Sequence, residues 1–169
     1  MKNHNKKKKN SAIYIAVVIG VLIISSTILF AYSNENAKLK GQLFGDELKG
    51  IQDDLKKITH SFDLKISMFK ERSLDRESFL EFAKKHEAEM SAMISRYNSL
   101  EIPKGFDSAV KLFKLSTETQ LESDRQIIEW VNTGDDAAYI RSDALLQESF
   151  EYEMAALAEY KLAQGPLNP

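Results

Sequence analysis

The feature that most constrains this chain is an unbroken stretch of 21 uncharged residues, 12–32, near its N-terminus. As a helix rising about 1.5 Å per residue, this stretch would span about 30 Å, the hydrocarbon thickness of a bilayer. A single helix satisfies its own backbone polar groups, as lipid requires. Tyr14 and Tyr32 lie near its two ends, where aromatic rings favour the membrane interface. The stretch therefore predicts a transmembrane helix in contact with a lipid bilayer.

A cluster of lysines fixes the expected orientation of that helix. Lys6, Lys7, Lys8 and Lys9 stand directly before the apolar stretch. Because basic flanks remain on the cytoplasmic side, residues 1–11 are predicted to form a cytoplasmic tail of a single-pass membrane protein. Everything after residue 32 is then expected to be extracytoplasmic. The alternative is a signal peptide cleaved near 31–33, which would release the same domain.

Three small residues, Ala12, Ala16 and Gly20, recur every four positions along one face of the apolar stretch. Such a stripe lets two membrane helices approach closely, which predicts a homodimer contact. The alternative is that the stripe is incidental, because small residues are common in membrane helices. Both interpretations stay open on the sequence alone.

Charge and composition exclude several classes of function. Residues 1–32 contain five of the 23 basic residues and no acidic one, so residues 33–169 carry 18 basic and 25 acidic residues, a net charge of −7. An acidic domain of this kind is not expected to bind nucleic acid, since affinity for phosphate comes mainly from Lys and Arg. The chain contains no Cys, which excludes disulfides, thiolate metal sites and a Cys nucleophile.

The spacing of apolar residues after residue 32 predicts an all-α fold. Helical periodicity of 3–4 residues recurs throughout and is interrupted near 73–75, 102–106 and 133–136. Four helices joined by short turns predict an antiparallel four-helix bundle over residues 51–165, followed by a tail at 166–169. Three glycines at 41, 45 and 50 predict a stalk, or a loose start of the first helix, over residues 33–50.

Capping residues and apolar positions define the predicted helices in more detail. Asp75 is expected to cap the second helix, Gly134 to end the third, and Thr133 with Asp136 to cap the fourth. The predicted inward residues of the fourth helix are Ile140, Leu146, Phe150, Met154 and Leu157.

Four polar residues form the only candidate site, a polar cluster inside the bundle. His86 falls where the second helix should be apolar, Glu89 follows it by three residues, and Gln120 and Asp124 interrupt the third helix. Helical bundles build metal and ligand sites from such clusters. The Glu-x-x-His pairs of di-metal bundles are absent, however, and His86 bonding a carboxylate such as Asp124 is the simpler interpretation. We therefore predict no metal and no cofactor.

The turns of the last 70 residues resemble those of small prokaryotic membrane-anchored helical-bundle proteins of unassigned function. The likeness rests on Leu100, Pro103, Phe106, Ala109 and the Gly134-Asp135 turn, and it implies the bundle but no activity. No phosphate-binding loop or nucleophile motif occurs. We expect a non-enzymatic protein that interacts with another envelope protein. The alternative is a ligand- or metal-sensing bundle that signals through a partner.

Overall fold

A computed structural model describes residues 35–164, which fold into four α-helices with no β-strand in that range. The helices are α1 (Glu35–Lys70), α2 (Arg76–Asn98), α3 (Asp107–Thr133) and α4 (Asp136–Gln164). This confirms the all-α class and fits the expected four-helix bundle. The predicted cytoplasmic tail, the transmembrane stretch 12–32 and the tail 166–169 lie outside the described residues.

Contacts between helices show that consecutive helices run antiparallel. Near one end of the bundle the ring of Phe62 lies 5.8 Å from that of Phe79, at the start of α2. Further back along α1, Gln52 reaches Tyr97 at the end of α2, with 2.7 Å between Nε2 and Oη. The helices α3 and α4 make the most extensive contact of any pair. Within residues 35–164, no helix is both long and apolar enough to cross a bilayer.

The glycine-containing segment that precedes residue 51 lies within α1. Phe44 and Leu48 are buried there, so the packed core begins before residue 51. Phe44 packs against Phe106, which in turn contacts Tyr160 near the end of α4, at centroid distances of 5.3 and 5.1 Å. Tertiary packing of this kind outweighs the weak helix propensity of the glycines, each of which costs about 1 kcal/mol.

The turns between helices follow local capping chemistry. Asp75 caps α2 by accepting a hydrogen bond from the Ser78 amide at 2.9 Å, as predicted. Gly134 ends α3 in the left-handed region at φ 77°, also as predicted. The predicted cap of α4 was wrong, because Asp135 accepts from the Ala137 amide at 2.9 Å in place of Thr133.

The inward face of α4 differs from the predicted one. Ile140 and Met154 are exposed to 68% and 48%, whereas small residues and one tyrosine are buried: Ala138, Ser142, Ser149, Ala156 and Tyr160. The reason is the close approach of α3, which places serines directly opposite Ser142 and Ser149. The Ser123 hydroxyl donates to the Ser142 carbonyl at 2.9 Å, and Ser116 and Ser149 donate reciprocally to each other's carbonyls at the same distance.

We call this the small-residue seam: Ala109, Ser116 and Ser123 on α3 opposite Ala156, Ser149 and Ser142 on α4. Successive members are seven residues apart on each helix, so they stay on one face over two turns. A hydroxyl can reach the backbone carbonyl of a neighbouring helix only where no large side chain separates the two helices. Large apolar residues therefore flank this contact and do not form it.

Candidate functional site

A buried polar pair joins α2 and α3 in the middle of the bundle. His86 Nε2 lies 2.8 Å from Asp124 Oδ2, and the two residues are only 1% and 4% exposed. Gln120 donates from Nε2 to the other carboxylate oxygen of Asp124 at 3.0 Å. The ring of Phe62 stacks on the imidazole with centroids 4.1 Å apart and planes at 12°.

The electrostatics of the pair are set by its burial. Removal of water raises the pKa of Asp124, and the hydrogen bonds from His86 and Gln120 oppose that rise. With Nε2 directed at Asp124, the Nδ1 atom of His86 is buried without a hydrogen-bond partner among the described residues. The arrangement fits a structural hydrogen bond, with one unsatisfied nitrogen left in the core.

The structure brings together three of the four residues of the predicted polar cluster. Glu89 lies apart from them at the surface, where Lys85 pairs with it at 3.4 Å and 41% of its side chain is exposed. The next inward-facing residue of α2 is Met90, which is fully buried. In residues 35–164 no group of three or more His, Asp or Glu side chains is placed to hold a metal ion.

Beside this pair lies a cleft that the sequence did not reveal, which we call the central cleft. It has a volume of about 80 Å³ and is lined by side chains from all four helices. Apolar walls come from residues such as Leu55, Met90, Phe113 and Leu146. Its polar lining includes Gln52, Lys56, Asp63, Thr117, Gln120 and Glu153. Gln120 therefore links the central cleft to the buried pair.

Two carboxyl groups belong to the lining of the central cleft, Asp63 on α1 and Glu153 on α4. Burial of Glu153, on α4, raises its pKa to about 7, and no hydrogen bond or ion pair to it occurs among the described residues. Asp63, on α1, keeps contact with solvent. Partial loss of hydration, followed by the nearby charge of Asp124, raises its pKa to about 6. Glu153 thus lies where burial leaves its charge uncompensated, whereas the exposed Asp63 is also acted on by the opposing charges of His86 and Lys70.

A chain of hydrogen bonds orients a buried amide at the wall of the central cleft. The Thr117 hydroxyl donates to the Phe113 carbonyl at 3.0 Å, and its oxygen lies 3.4 Å from Tyr97 Oη. Tyr97 Oη accepts a hydrogen bond from Gln52 Nε2 at 2.7 Å. The Gln52 side chain is 5% exposed, and it lines the central cleft.

The surface of α4 carries a second feature, an exposed stripe opposite the small-residue seam. We call it the outer stripe, and it consists of Ile140, Ala144, Gln147, Glu151, Met154, Ala158 and Leu162, all exposed. Successive members are three or four residues apart, as on helices that pack against a second helix. Ile140 and Leu162, exposed to 68% and 74%, mark its two ends. The helix α4 thus exposes large apolar residues on the face opposite the seam.

Sequence signals existed for the outer stripe but not for the central cleft. The heptad spacing of Ser142, Ser149 and Ala156 indicates the seam. The large apolar residues of α4 that do not share this spacing then indicate the opposite face. The cleft combines side chains separated by up to about a hundred positions, which depends on how the four helices sit side by side.

The remaining predicted residues belong to the predicted membrane anchor and lie outside the described residues: Lys6, Lys7, Lys8, Lys9, Ala12, Tyr14, Ala16, Gly20 and Tyr32. Compared with known proteins, the chain matches no family model, no curated protein and no solved structure. The described part is therefore defined by its own geometry: an antiparallel helical bundle with a polar cleft at its centre and an apolar stripe on its last helix.

Proposed function

We propose that this chain is a non-enzymatic, single-pass membrane protein whose helical bundle stands outside the membrane and binds another envelope protein through the outer stripe of α4. The apolar stretch 12–32 with its lysine flank supports the anchor, and α1 begins three residues after that stretch ends. The resemblance to small membrane-anchored bundle proteins of prokaryotes is part of the same proposal.

The observation that carries the proposal is the exposure of the outer stripe. Ile140, Met154 and Leu162 expose about half or more of their surface, on the face opposite the seam that already packs α4 into the bundle. Apolar residues at heptad spacing bury a helix face efficiently against a second helix. Glu151 lies in the middle of the stripe, where it accepts from Gln147 at 3.3 Å. A partner helix with a donor opposite Glu151 would satisfy this polar centre.

Site-specific photo-crosslinking in intact cells tests the proposal. A photoreactive phenylalanine derivative at Ala144 or Ala158 is expected to capture one partner protein of defined mass. The same derivative at Lys111, an exposed residue of α3, is the control and should not capture it. The double variant Ile140→Lys/Leu162→Lys should abolish the capture. Equal capture from the stripe and from Lys111, or none from either, would contradict the proposal.

The mass of the product also separates two partners. A product of twice the chain mass would indicate a second copy, as expected if Ala12, Ala16 and Gly20 form a homodimer contact. A product of another mass would indicate a different envelope protein, which is the proposal made here.

The central cleft favours a second candidate function, a ligand-sensing bundle that signals through a partner. It is lined by all four helices and combines an apolar wall with polar groups, as small-molecule sites do. At about 80 Å³ it is far smaller than the several hundred Å³ of nucleotide or drug sites. A screen of small metabolites by thermal shift on the detergent-solubilised full chain tests this candidate. A specific stabilisation is expected, and a flat response across all chemical classes would contradict it.

A further inference from the structure

We propose that the segment of the partner protein that covers the outer stripe is a basic amphipathic α-helix, whose Lys or Arg side chains pair with Glu148 and Glu151 of α4. This inference rests on the proposed function, since it names the chemistry of the partner that the stripe binds. Three observations carry it: the size pattern of the apolar residues, the two carboxylates at the centre of the stripe, and the excess of acidic residues on the exposed surface of α4.

The apolar residues of the outer stripe have the size pattern of a helix-binding face. Ile140 and Met154 are large and exposed, and each is followed four residues later by a small residue, Ala144 and Ala158. Large residues act as knobs, and small ones leave room for the knobs of a second helix. From Ile140 to Leu162 the stripe extends over about 33 Å, which matches a partner helix of about three heptads.

Two carboxylates lie at the centre of this face. Glu151 belongs to the stripe, and Glu148 precedes it by three residues, so the two exposed side chains are neighbours on the helix surface. Each accepts from a neutral group of the same helix: Glu148 from Tyr152 Oη at 2.8 Å, and Glu151 from Gln147 Nε2 at 3.3 Å. Neither carboxylate has an ion pair within the described part of the chain. Their charges are therefore available to a cation of the partner.

The exposed surface of α4 as a whole has an excess of acidic residues. Its exposed charged side chains are five acidic, Asp136, Asp143, Glu148, Glu151 and Glu159, and two basic, Arg141 and Lys161. Arg141 already donates to Gln126 Oε1 at 2.8 Å and lies 3.5 Å from an oxygen of Asp135. A basic helix complements this surface, because the alkyl stems of Lys or Arg pack along apolar residues while their charged ends reach the carboxylates.

The same charges disfavour the other surfaces that could cover the stripe. None of the stripe residues is a cation, so a second copy paired stripe to stripe would add carboxylates and neutralise none of them. A lipid surface with anionic headgroups attracts basic segments and would repel Glu148 and Glu151. An acidic helix meets the same repulsion. A basic amphipathic helix is the occupant that fits both the apolar and the charged parts of the surface.

Binding of two synthetic helices to the full chain tests the inference. Both peptides have three heptads with leucine and alanine on one face, and beside that face one carries lysines and the other carries glutamates. The full chain in phosphatidylcholine nanodiscs is titrated into each fluorescently labelled peptide, with empty nanodiscs as the blank. Fluorescence anisotropy is expected to show saturable binding of the lysine peptide. The glutamate peptide should bind about tenfold more weakly or less, because like charges then meet at the centre of the stripe.

A charge reversal identifies the carboxylates that the peptide contacts. Glu148→Lys/Glu151→Lys should invert the preference, so that the glutamate peptide binds about tenfold more tightly than the lysine peptide. The matched control is Glu81→Lys/Glu129→Lys, which makes the same change in net charge at exposed positions of α2 and α3. This control should keep the preference of the wild type. Circular dichroism of each variant checks that it is folded.

A neutral change tests the apolar part of the stripe separately. Ile140→Ser/Leu162→Ser removes two exposed apolar side chains without adding charge and should abolish binding of the lysine peptide. Four results would overturn the inference. These are no saturable binding of the lysine peptide, equal binding of both peptides, inversion of the preference by the Glu81→Lys/Glu129→Lys control, and binding that survives Ile140→Ser/Leu162→Ser.

Photo-crosslinking in cells separates failure of this inference from failure of the proposed function. If the probes at Ala144 and Ala158 capture an envelope protein while the lysine peptide does not bind, the inference falls and the proposed function stands. If the probes capture only a second copy, or nothing, both fall.

Discussion

His86 Nε2 lies 2.8 Å from Asp124 Oδ2, and this contact fixes α2 against α3 at the centre of the bundle. Both side chains are almost fully buried, so neither can exchange its partner for water. We expect His86→Leu to lower the free energy of unfolding by about 3–5 kcal/mol, because it leaves the Asp124 carboxylate buried without its main donor. Chemical unfolding followed by circular dichroism measures the change.

The double variant His86→Leu/Asp124→Leu is the control for this prediction. Because it removes both buried polar groups, it should recover part of the stability lost by His86→Leu. If the two single changes add without any interaction energy, the pair contributes nothing of its own and the prediction is wrong.

Glu153 predicts a pH dependence of stability with a definite sign. Its pKa rises from 4.5 to about 7 on folding, so the folded protein binds its proton more tightly than the unfolded chain does. The contribution of Glu153 to stability therefore decreases as the pH rises from about 4.5 to about 7. We expect Glu153→Gln to raise the melting temperature at pH 8 and to change it little at pH 4.5.

The matched control for this pH effect is Glu151→Gln on the exposed face of the same helix. Melting temperatures of the three proteins across the pH range provide the comparison. If Glu151→Gln and Glu153→Gln give parallel curves, the effect comes from net charge and not from burial of Glu153.

The small-residue seam predicts low tolerance of larger side chains between α3 and α4. Ser142→Leu forces a branched side chain into the place where Ser123 Oγ lies 2.9 Å from the Ser142 carbonyl. We expect a loss of about 1–3 kcal/mol from overpacking, measured by chemical unfolding. Ala155→Leu makes a comparable enlargement on the exposed side of α4 and should cost little. Equal effects of the two changes would contradict the close packing of these helices.

Gly134 predicts a smaller, conformational effect. Its φ of 77° lies in the left-handed region, and nothing lies within 4 Å of an added Cβ, so any cost comes from the backbone alone. Gly134→Ala should lower the free energy of unfolding by about 1 kcal/mol. Gly134→Asn should cost less, because asparagine adopts this conformation more readily. The ranking of the two variants in chemical unfolding checks the explanation.

The fold was largely predictable because large apolar residues repeat at helical spacing on three helices. The rhythm from Phe79 to Tyr97 in α2 left a single polar inward position, which singled out His86, and the same reasoning found Asp124. On α4 the rule failed. Alanine and serine contribute little to a hydrophobic pattern, so the pattern predicted Ile140 and Met154 as inward residues. Both are exposed.

The candidate sites were less predictable than the fold for a physical reason. Glu89 follows His86 by three residues, yet the helix rotates it far enough to reach solvent and Lys85. Asp63 and Glu153 are ordinary surface residues by sequence, and only the lateral arrangement of the helices places both at one cleft. Periodicity in the sequence shows which residues share one face of a helix. Which faces of different helices contact each other depends on how all four helices pack together.

The central claim, an anchored bundle outside the membrane, is tested most directly by cysteine labelling in intact cells. The chain contains no Cys, so a single introduced thiol reports one position. A membrane-impermeant maleimide should label a cysteine at Lys104, an exposed residue between α2 and α3, in intact cells. A cysteine at Asn5 should be labelled only after lysis. Labelling at Asn5 in intact cells, with Lys104→Cys protected until lysis, would contradict the account.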